Sequence, residues 1–389
     1  MLTRVKVCYN GAMEKVRILH TSDVHLGARF EKMGAQAPEF RALLQKTFTK
    51  IVDLAITQKA NCLVIAGDLF DSGRPTAAVI AFLSGQLRRL SEAGITVAMI
   101  AGNHDLFDAH SVYRRAEWYN FPGVHFLYDK NPIVEIPALS LAIFGTSCAT
   151  KKSRTSPLAP LVPLARESHY QNKIAVIHGS LTIPEKHAAD DYPFSAKEIS
   201  ESPFAYVACG NWHSGFEVVK DRAWFSGAPE ALSTQQSGAG SVVMIDIADG
   251  VVQRVARNRV GETEFSQLTL PVEPETQLED LVQEIAKGAH RHLVRKVSLV
   301  GLVYPQQRIP VQAILDELSR RFYHLSIEDK THIELTDDAL RQFPEELVIG
   351  QYVRMLKDKI EHIDDPDEKR KYEEALQLGV ALLTGEEAL

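Results

Sequence analysis

An α/β fold is predicted by two features of this 389-residue sequence. From residue 16 to about 210, short apolar runs rich in Val, Ile, Leu and Ala alternate with helix-like segments. The runs are continuous in apolarity, as strands buried on both faces are. They read "VRILHT", "CLVIAG", "TVAMIAG", "LAIFGT", "KIAVIHG" and "AYVACG". Between the first two, Phe40, Leu43, Leu44, Phe48, Ile51, Val52 and Ala55 recur at helical spacing. Between the second and third lies "RPTAAVIAFLSGQLRRLSEAG", where Pro75 suits a helix start and Gly94 a helix stop. The order βαβαβ follows.

After Ala208 the pattern changes. "RAWFSGAP", "GSVVMIDIADG" and "VVQRVARN" read as shorter strands, with a hairpin at Asp249–Gly250, and are expected to complete a second, antiparallel sheet. Pro271 and Pro274 mark a boundary. A smaller α/β unit is expected beyond it: a helix near 277–289, the strand "KVSLVGLV", the helix "VQAILDELSRRFY" and a strand near "HLSIED". The last segment, from Gly350, reads as helical and broken near Asp365–Pro366. The expected divisions are an N-terminal extension at 1–15, a main domain at 16–270, a small domain at 271–345 and a helical tail at 346–389.

Composition narrows the function. Apolar residues make up 45% and charged residues 24% of the chain, the range of a soluble globular protein. The four cysteines, Cys8, Cys62, Cys148 and Cys209, form no CxxC pair, and Cys62 and Cys209 lie in apolar runs. Reduced buried thiols fit a cytoplasmic protein. No run approaches a membrane span, and "MLTRVKVCYNGAM" lacks the apolar core of a signal peptide. The net charge of −7 argues against a pure nucleic-acid-binding module, which grips phosphates with a basic surface.

The apolar runs end in chemistry. "RILHTSDVH" delivers Asp23 and His25, "LVIAGDLFD" delivers Asp68 and Asp71, and "AMIAGNHD" delivers Asn103, His104 and Asp105. "AVIHGS" delivers His178, and "ACGNWHSGF" delivers Asn211 and His213. Ligands of α/β sheets bind beyond the carboxyl ends of strands. Alone, each piece has an ordinary explanation: a capping pair, a turn, a hydrogen-bonded histidine. Together, Asp23, His25, Asp68, Asn103, His178, Asn211 and His213 are seven O and N donors with no thiolate. That set suits Mn²⁺, Mg²⁺, Fe or Zn²⁺, and is large enough for two ions bridged by one carboxylate. Such a pair activates water and clamps a phosphate.

The order D-x-H, G-D, G-N-H-D, H and G-x-x-H resembles that of the calcineurin-like metallophosphoesterases. "ILHTSDVHLG", "VIAGDLFDSGRP" and "IAGNHD" resemble the SbcD-type nucleases of DNA double-strand-break repair, over roughly residues 16–230. The resemblance implies a four-layer αββα sandwich, a small α/β capping domain and a helical C-terminal tail. It implies a dinuclear centre, with Mn²⁺ the expected metal. Asp23, His25 and His213 would hold one ion, Asn103, His178 and residue 211 the other, and Asp68 would bridge them. His104 would contact the scissile phosphate and protonate the leaving oxygen; Asp105 would orient it, or cap a turn. The expected partners are DNA, an SMC-like coiled-coil ATPase and a second copy of the chain, with no membrane. The departure is Asn211: the family usually shows Gly-His-x-His where this chain has Gly-Asn-Trp-His.

Other residues have competing readings. His20 reads first as a buried, hydrogen-bonded residue. Arg29 and Arg74 could meet phosphates or solvent, and "HRHLVRK" at 290–296 a DNA backbone or solvent. Trp212 could pack in the core or stack on a base. The tail could dock on its own domain or on a partner. Three functions compete: a DNA exonuclease or endonuclease; a phosphoesterase for nucleotides, cyclic nucleotides or phosphoproteins; and a non-catalytic scaffold with a weakened second metal site.

Overall fold

The six apolar runs are strands, but they divide between two sheets instead of sharing one. A computed structural model describes residues 15–30, 37–115, 117–183, 191–231, 236, 238–273, 275–303, 309–333, 343–344, 347–363 and 365–383. The expected N-terminal extension, apart from Lys15, lies outside the described residues, as do Cys8 and Pro274. The chain forms two compact units, 1–264 and 265–389.

In the first unit the strands are β1 (Val16–Thr21), β2 (Cys62–Ala66), β3 (Thr96–Ile100), β4 (Val124–Phe126), β5 (Ile133–Ile136) and β6 (Leu141–Gly145). They continue with β7 (Asn172–His178), β8 (Tyr206–Gly210), β9 (Phe216–Val219), β10 (Ala223–Phe225), β11 (Ser241–Ala248) and β12 (Val251–Arg259). The helices are α1 (Ala37–Thr57), α2 (Ala77–Glu92), α3 (Val112–Arg115), α4 (Leu161–Glu167) and α5 (Ala196–Glu201). One six-stranded sheet has the order β12-β11-β1-β2-β3-β4, and the other β5-β6-β7-β8-β10-β9.

The strands β1, β2, β3 and β4 are mutually parallel, as are β6, β7, β8 and β10. The late strands do not make a separate antiparallel sheet. β11 pairs antiparallel with β1, from Val16↔Ile247 to His20↔Val243, and β12 follows it outward. The βαβ units grow from β1 toward β4 and leave the other edge of β1 unpaired, so β11 satisfies its backbone groups. β9 and β10 extend the second sheet in the same way.

Alternation along each strand builds the layers. Leu19, Leu63, Ile65, Val97 and Met99 face outward against Phe48, Ile51 and Val52 of α1 and Leu83 and Leu87 of α2. Ile18, Val64, Ala98 and Ile100 face inward against Ile143, Val176 and Ala208 of the other sheet. Phe144, Ile177 and Val207 then pack outward on Leu161, Ala165 and Ile199 of α4 and α5. Each fully buried Val, Leu, Ile, Phe or Met among them contributes about 1.5–3 kcal/mol of transfer free energy. The result is the four-layer αββα sandwich. Thr76, not Pro75, opens α2: its hydroxyl accepts from Val79 N, satisfying a first-turn donor. Gly94, at φ 71°, follows the end of α2 in the left-handed conformation.

The second unit begins before Pro271, which lies inside β13 (Glu264–Val272). Its other elements are α6 (Leu278–Ala286), β14 (Leu293–Val303), α7 (Val311–Leu318), β15 (His324–Ile333), α8 (Val348–Glu361) and α9 (Pro366–Leu383). The sheet order β13-β14-β15 explains the earlier boundary, because β13 pairs with β14 and belongs to that sheet. β14 and β15 are parallel, with Val294 opposite His324. Leu281, Ile285, Val297, Leu299, Ile314 and Leu318 form the core of this unit. In the tail, Val353 and Leu356 of α8 pack on Leu376 and Val380 of α9. The break falls where expected: Asp365 Oδ1 accepts from Glu368 N, and Pro366 opens α9.

Candidate metal centre

Strand ends from both sheets of the first unit meet at one place. The loops after β1 and β2 are zipped by backbone bonds: Asp23 N donates to Gly67 O at 3.1 Å and His25 N to Asp68 O at 3.0 Å. Four donor-type residues occupy the left-handed region: Asp23 (φ 52°), His25 (φ 51°), Asp68 (φ 49°) and Asn211 (φ 99°). Strain of this kind in non-glycine residues collects at functional sites. Gly102, in the loop after β3, is required by space: a Cβ there would overlap Asp68 Oδ1 and crowd His178 Cε1.

Two triads could each hold an ion. Ligand atoms of Asp23, His25 and His213 lie within 4.8 Å of one another, as do those of Asp23, Asp68 and His178. A third group joins His25, Asp68 and His104 within the same limit. His25 Nε2 is 3.8 Å and His178 Nε2 3.5 Å from Asp68 Oδ2. His25 Nε2 and His213 Nε2 face each other at 3.0 Å.

The donor set fits divalent cations. His178 Nε2 and Asn103 Oδ1 are buried without a hydrogen-bond partner. Buried polar atoms are normally satisfied, so two such atoms beside one carboxylate cluster fit a cation there. His178 Nδ1 lies 2.9 Å from Ala66 O, its natural acceptor, which leaves the Nε2 lone pair for a metal. The Gln236 amide braces His213 at Nδ1. Asn211 N donates to both Asp23 oxygens, at 3.1 and 3.2 Å, and Asn211 Oδ1 accepts from Asn103 Nδ2 at 3.1 Å.

The electrostatics match a site built for positive charge. Burial alone would lower the His25 pKa, but the carboxylates of Asp71, Asp68 and Asp23 outweigh it and raise it to about 9. His178 moves the same way: Asp68 and Asp23 overcome burial. His213 moves down, through burial and the neighbouring His25 and His104. Asp71 is held low by its bond to His25, whose Nδ1 is 3.5 Å from Asp71 Oδ1.

His104 is the exposed member of the group. Its backbone N donates to Asp68 Oδ1 at 2.9 Å, its Nδ1 lies 3.3 Å from Asp71 O, and its ring meets that of His25 edge-on at 4.8 Å. Asp105 is fully buried and holds the loop instead of the His104 ring. It accepts from Gly102 N at 2.7 Å, Phe70 N at 3.0 Å and the Tyr113 hydroxyl at 2.6 Å. Burial, with Asp68 nearby, raises its pKa to about 6. His20 is buried between the sheets, 3.0 Å from the Tyr206 hydroxyl, and burial lowers its pKa to about 3. Trp212 stacks on Phe225 at 5.2 Å and packs on Phe216.

All nine sequence-predicted site residues lie in this one region. Sequence reasoning missed Ser180, Asp191, Gln236 and Tyr113, which contact them. Ser180 carried one faint signal, as a polar residue two beyond His178 at a strand end. The others are brought in by loops and carry none.

Residues 16–201 match the family model described as calcineurin-like phosphoesterase. The metallophosphoesterase YhaO of Bacillus subtilis is 25% identical over 243 residues, 60% of this chain and 57% of that protein. The DNA double-strand break repair protein Mre11 of Sulfurisphaera tokodaii is 28% identical over 240 residues, 58% of this chain and 56% of that protein. The chain thus spans little more than half the length of these two relatives. The SbcD subunit of nuclease SbcCD from Staphylococcus epidermidis is 23% identical over 384 residues, 84% of this chain and 95% of that protein. With the four-layer sandwich, the ordered strand-end donors and this match in agreement, the first unit of the chain carries a calcineurin-like phosphoesterase domain.

Proposed function

We propose that the chain is a DNA nuclease of double-strand-break repair that hydrolyses phosphodiester bonds with two Mn²⁺ ions. The observation that carries this reading is the convergence of Asp23, His25, Asp68, Asn103, His178 and His213, with the buried donor atoms His178 Nε2 and Asn103 Oδ1 left unsatisfied. The names of the Mre11 and SbcD relatives support DNA as the substrate. Asp23, His25 and His213 would hold the first ion and Asn103, His178 and Asn211 the second, with Asp68 shared between them. When bound, the ions polarise the phosphate and lower the pKa of water. Asp71 and Ala66 O orient His25 and His178. His104 Nδ1–H donates to the Asp71 carbonyl, which aims Nε2 at the phosphate; as the imidazolium the ring would pass its Nε2 proton to the departing oxygen and return to the neutral form.

The second unit serves as the capping domain up to β15, and α8 and α9 as the tail that meets an SMC-like coiled-coil ATPase. A second copy of the chain completes the assembly. No helix among the described residues is long and apolar enough to cross a membrane. The buried free thiols of Cys62, Cys148 and Cys209 support a cytoplasmic setting.

A second reading, a phosphoesterase for nucleotides or other small esters, is favoured by the net charge of −7. One experiment separates the two. The chain is incubated in Mn²⁺ with linear double-stranded DNA or with bis(p-nitrophenyl) phosphate, beside the His104→Ala variant. DNA degradation lost in the variant supports the nuclease. Hydrolysis of the small ester alone supports the second reading. No turnover with Mn²⁺, Mg²⁺ or Zn²⁺ refutes both.

A further inference from the structure

Asn211 sits where the family usually places a histidine, and a network behind it decides which end of its amide faces the metal pocket. Asn211 Nδ2 donates to Ser180 Oγ at 2.8 Å and to Asp191 Oδ2 at 3.0 Å. Ser180 Oγ donates to Asp191 Oδ2 and lies 3.3 Å from Trp212 Nε1. The proton inventory fixes the direction of every bond. The Asp191 carboxylate oxygen accepts the single Ser180 proton. Trp212 only donates, and occupies one Ser180 lone pair. Ser180 can then only accept from Asn211. The NH₂ end of the Asn211 amide therefore points away from the pocket, and Oδ1 points toward Asn103.

We infer that Asp191 is a positioning residue for the second metal position: its carboxylate locks the Asn211 carbonyl oxygen onto that ion. The inference rests on the proposed metal centre. An amide facing the other way would aim N–H groups at a cation. Locked, the second position has oxygen donors from Asn211, Asn103 and Asp68 and one imidazole from His178, a set that favours Mn²⁺ or Mg²⁺ over Zn²⁺. The backbone at Asp191 is held separately. Asp191 O accepts from Ser180 N at 3.0 Å, and Tyr192 N donates to Ser153 O at 2.9 Å. A change of the Asp191 side chain thus leaves this segment anchored.

The test is a Mn²⁺ titration of metal-free protein, read by calorimetry and by the electron paramagnetic resonance of free Mn²⁺. The variants are Asp191→Leu, Asn211→Asp and the double variant, each checked for melting temperature in EDTA. Wild type is expected to take up two ions. Asp191→Leu frees the Ser180 proton, the amide turns, and the second ion binds about 10–100-fold more weakly, the usual range for losing a residue that orients a ligand. The first ion, on Asp23, His25 and His213, is the internal control and stays unchanged. Asn211→Asp in the Asp191→Leu background restores the second ion, because a carboxylate presents oxygen whichever way it turns. A merely structural Asp191 would give no such rescue. Equal affinity for the second ion in wild type and Asp191→Leu overturns the assignment and leaves the metal centre standing, as does a loss that Asn211→Asp fails to rescue. A wild-type chain that takes up no second ion overturns the dinuclear reading and this assignment together.

Discussion

The facing imidazoles of His25 and His213 make metal uptake a proton-coupled event that pH can measure. Their Nε2 atoms are 3.0 Å apart, so one carries a proton and the other accepts it. The raised pKa of His25, about 9, and the lowered one of His213 assign the proton to His25. A cation held by both rings must displace it. At pH 7 that costs on the order of 3 kcal/mol. Affinity at the first position should therefore rise about tenfold per unit from pH 7 to 9, then level off. In calorimetry the binding enthalpy should vary with the ionisation enthalpy of the buffer, corresponding to release of close to one proton at pH 7. The metal-free fold shows the opposite trend. The His25 pKa is raised above its ordinary 6.5, so its proton stabilises the metal-free fold fully below pH 6.5. That stability is lost as pH climbs through 9. An affinity flat between pH 7 and 9, or uptake without proton release, would refute the shared proton.

Three further outcomes are expected. His104→Ala should lower the rate of phosphodiester hydrolysis by about 10²–10⁴, the range for a general acid, with two Mn²⁺ ions still bound by titration. Gly102→Ala should lose Mn²⁺ affinity and melt earlier, because its Cβ overlaps Asp68 Oδ1 and has the Asp68 backbone N behind it; unchanged affinity would show that the loop after β3 yields. Glu230→Ala should act on stability alone. This carboxylate, 1% exposed, accepts from Thr263 N at 2.7 Å, Glu262 N at 3.1 Å and the hydroxyls of Thr47 and Thr263. Stranding those donors should cost about 3–5 kcal/mol, or roughly 10 °C in a thermal melt.

The sequence made the strands and their chemistry legible because both are local. A run such as "CLVIAG" shows its burial in five residues, and the Asp68 that follows needs no distant partner to be noticed. Sheet membership was not legible. β1 and β7 read alike, yet Ile18 and Val176 face each other across the sandwich. The placement of β11 against β1 joins residues more than 220 apart, and no pattern within either strand encodes that pairing. Pro271 misled because proline usually interrupts a sheet, whereas here it lies in β13 at the edge of a three-stranded sheet. Asp191 was invisible for a related reason. Its role depends on Ser180 and Asn211, 11 and 20 residues away, and on a proton count no spacing displays.

The two halves of the proposed centre are held by different means. Around the first position the backbone holds the loops that carry Asp23 and His25, with Gln236 and Asp71 bracing the imidazoles. Asp23 N and His25 N bond to Gly67 O and Asp68 O, Leu26 N to Leu69 O, and Asp71 N back to Leu26 O. These bonds prolong the parallel β1–β2 pairing past the strand ends and keep Asp23, His25 and Asp68 in left-handed conformations that cost of order 1–3 kcal/mol each. A substitution there disturbs the ladder as well as the ligand. Around the second position the backbone Ala66 O holds His178, but side chains hold the two amides: Asn103 on Asn211, and Asn211 on Ser180 and Asp191. Hydrogen bonds between side chains can be rewired without moving a strand. Asn211, the departure from the pattern the resemblance implies, falls in the half of the proposed centre where side-chain bonds set the direction of an amide.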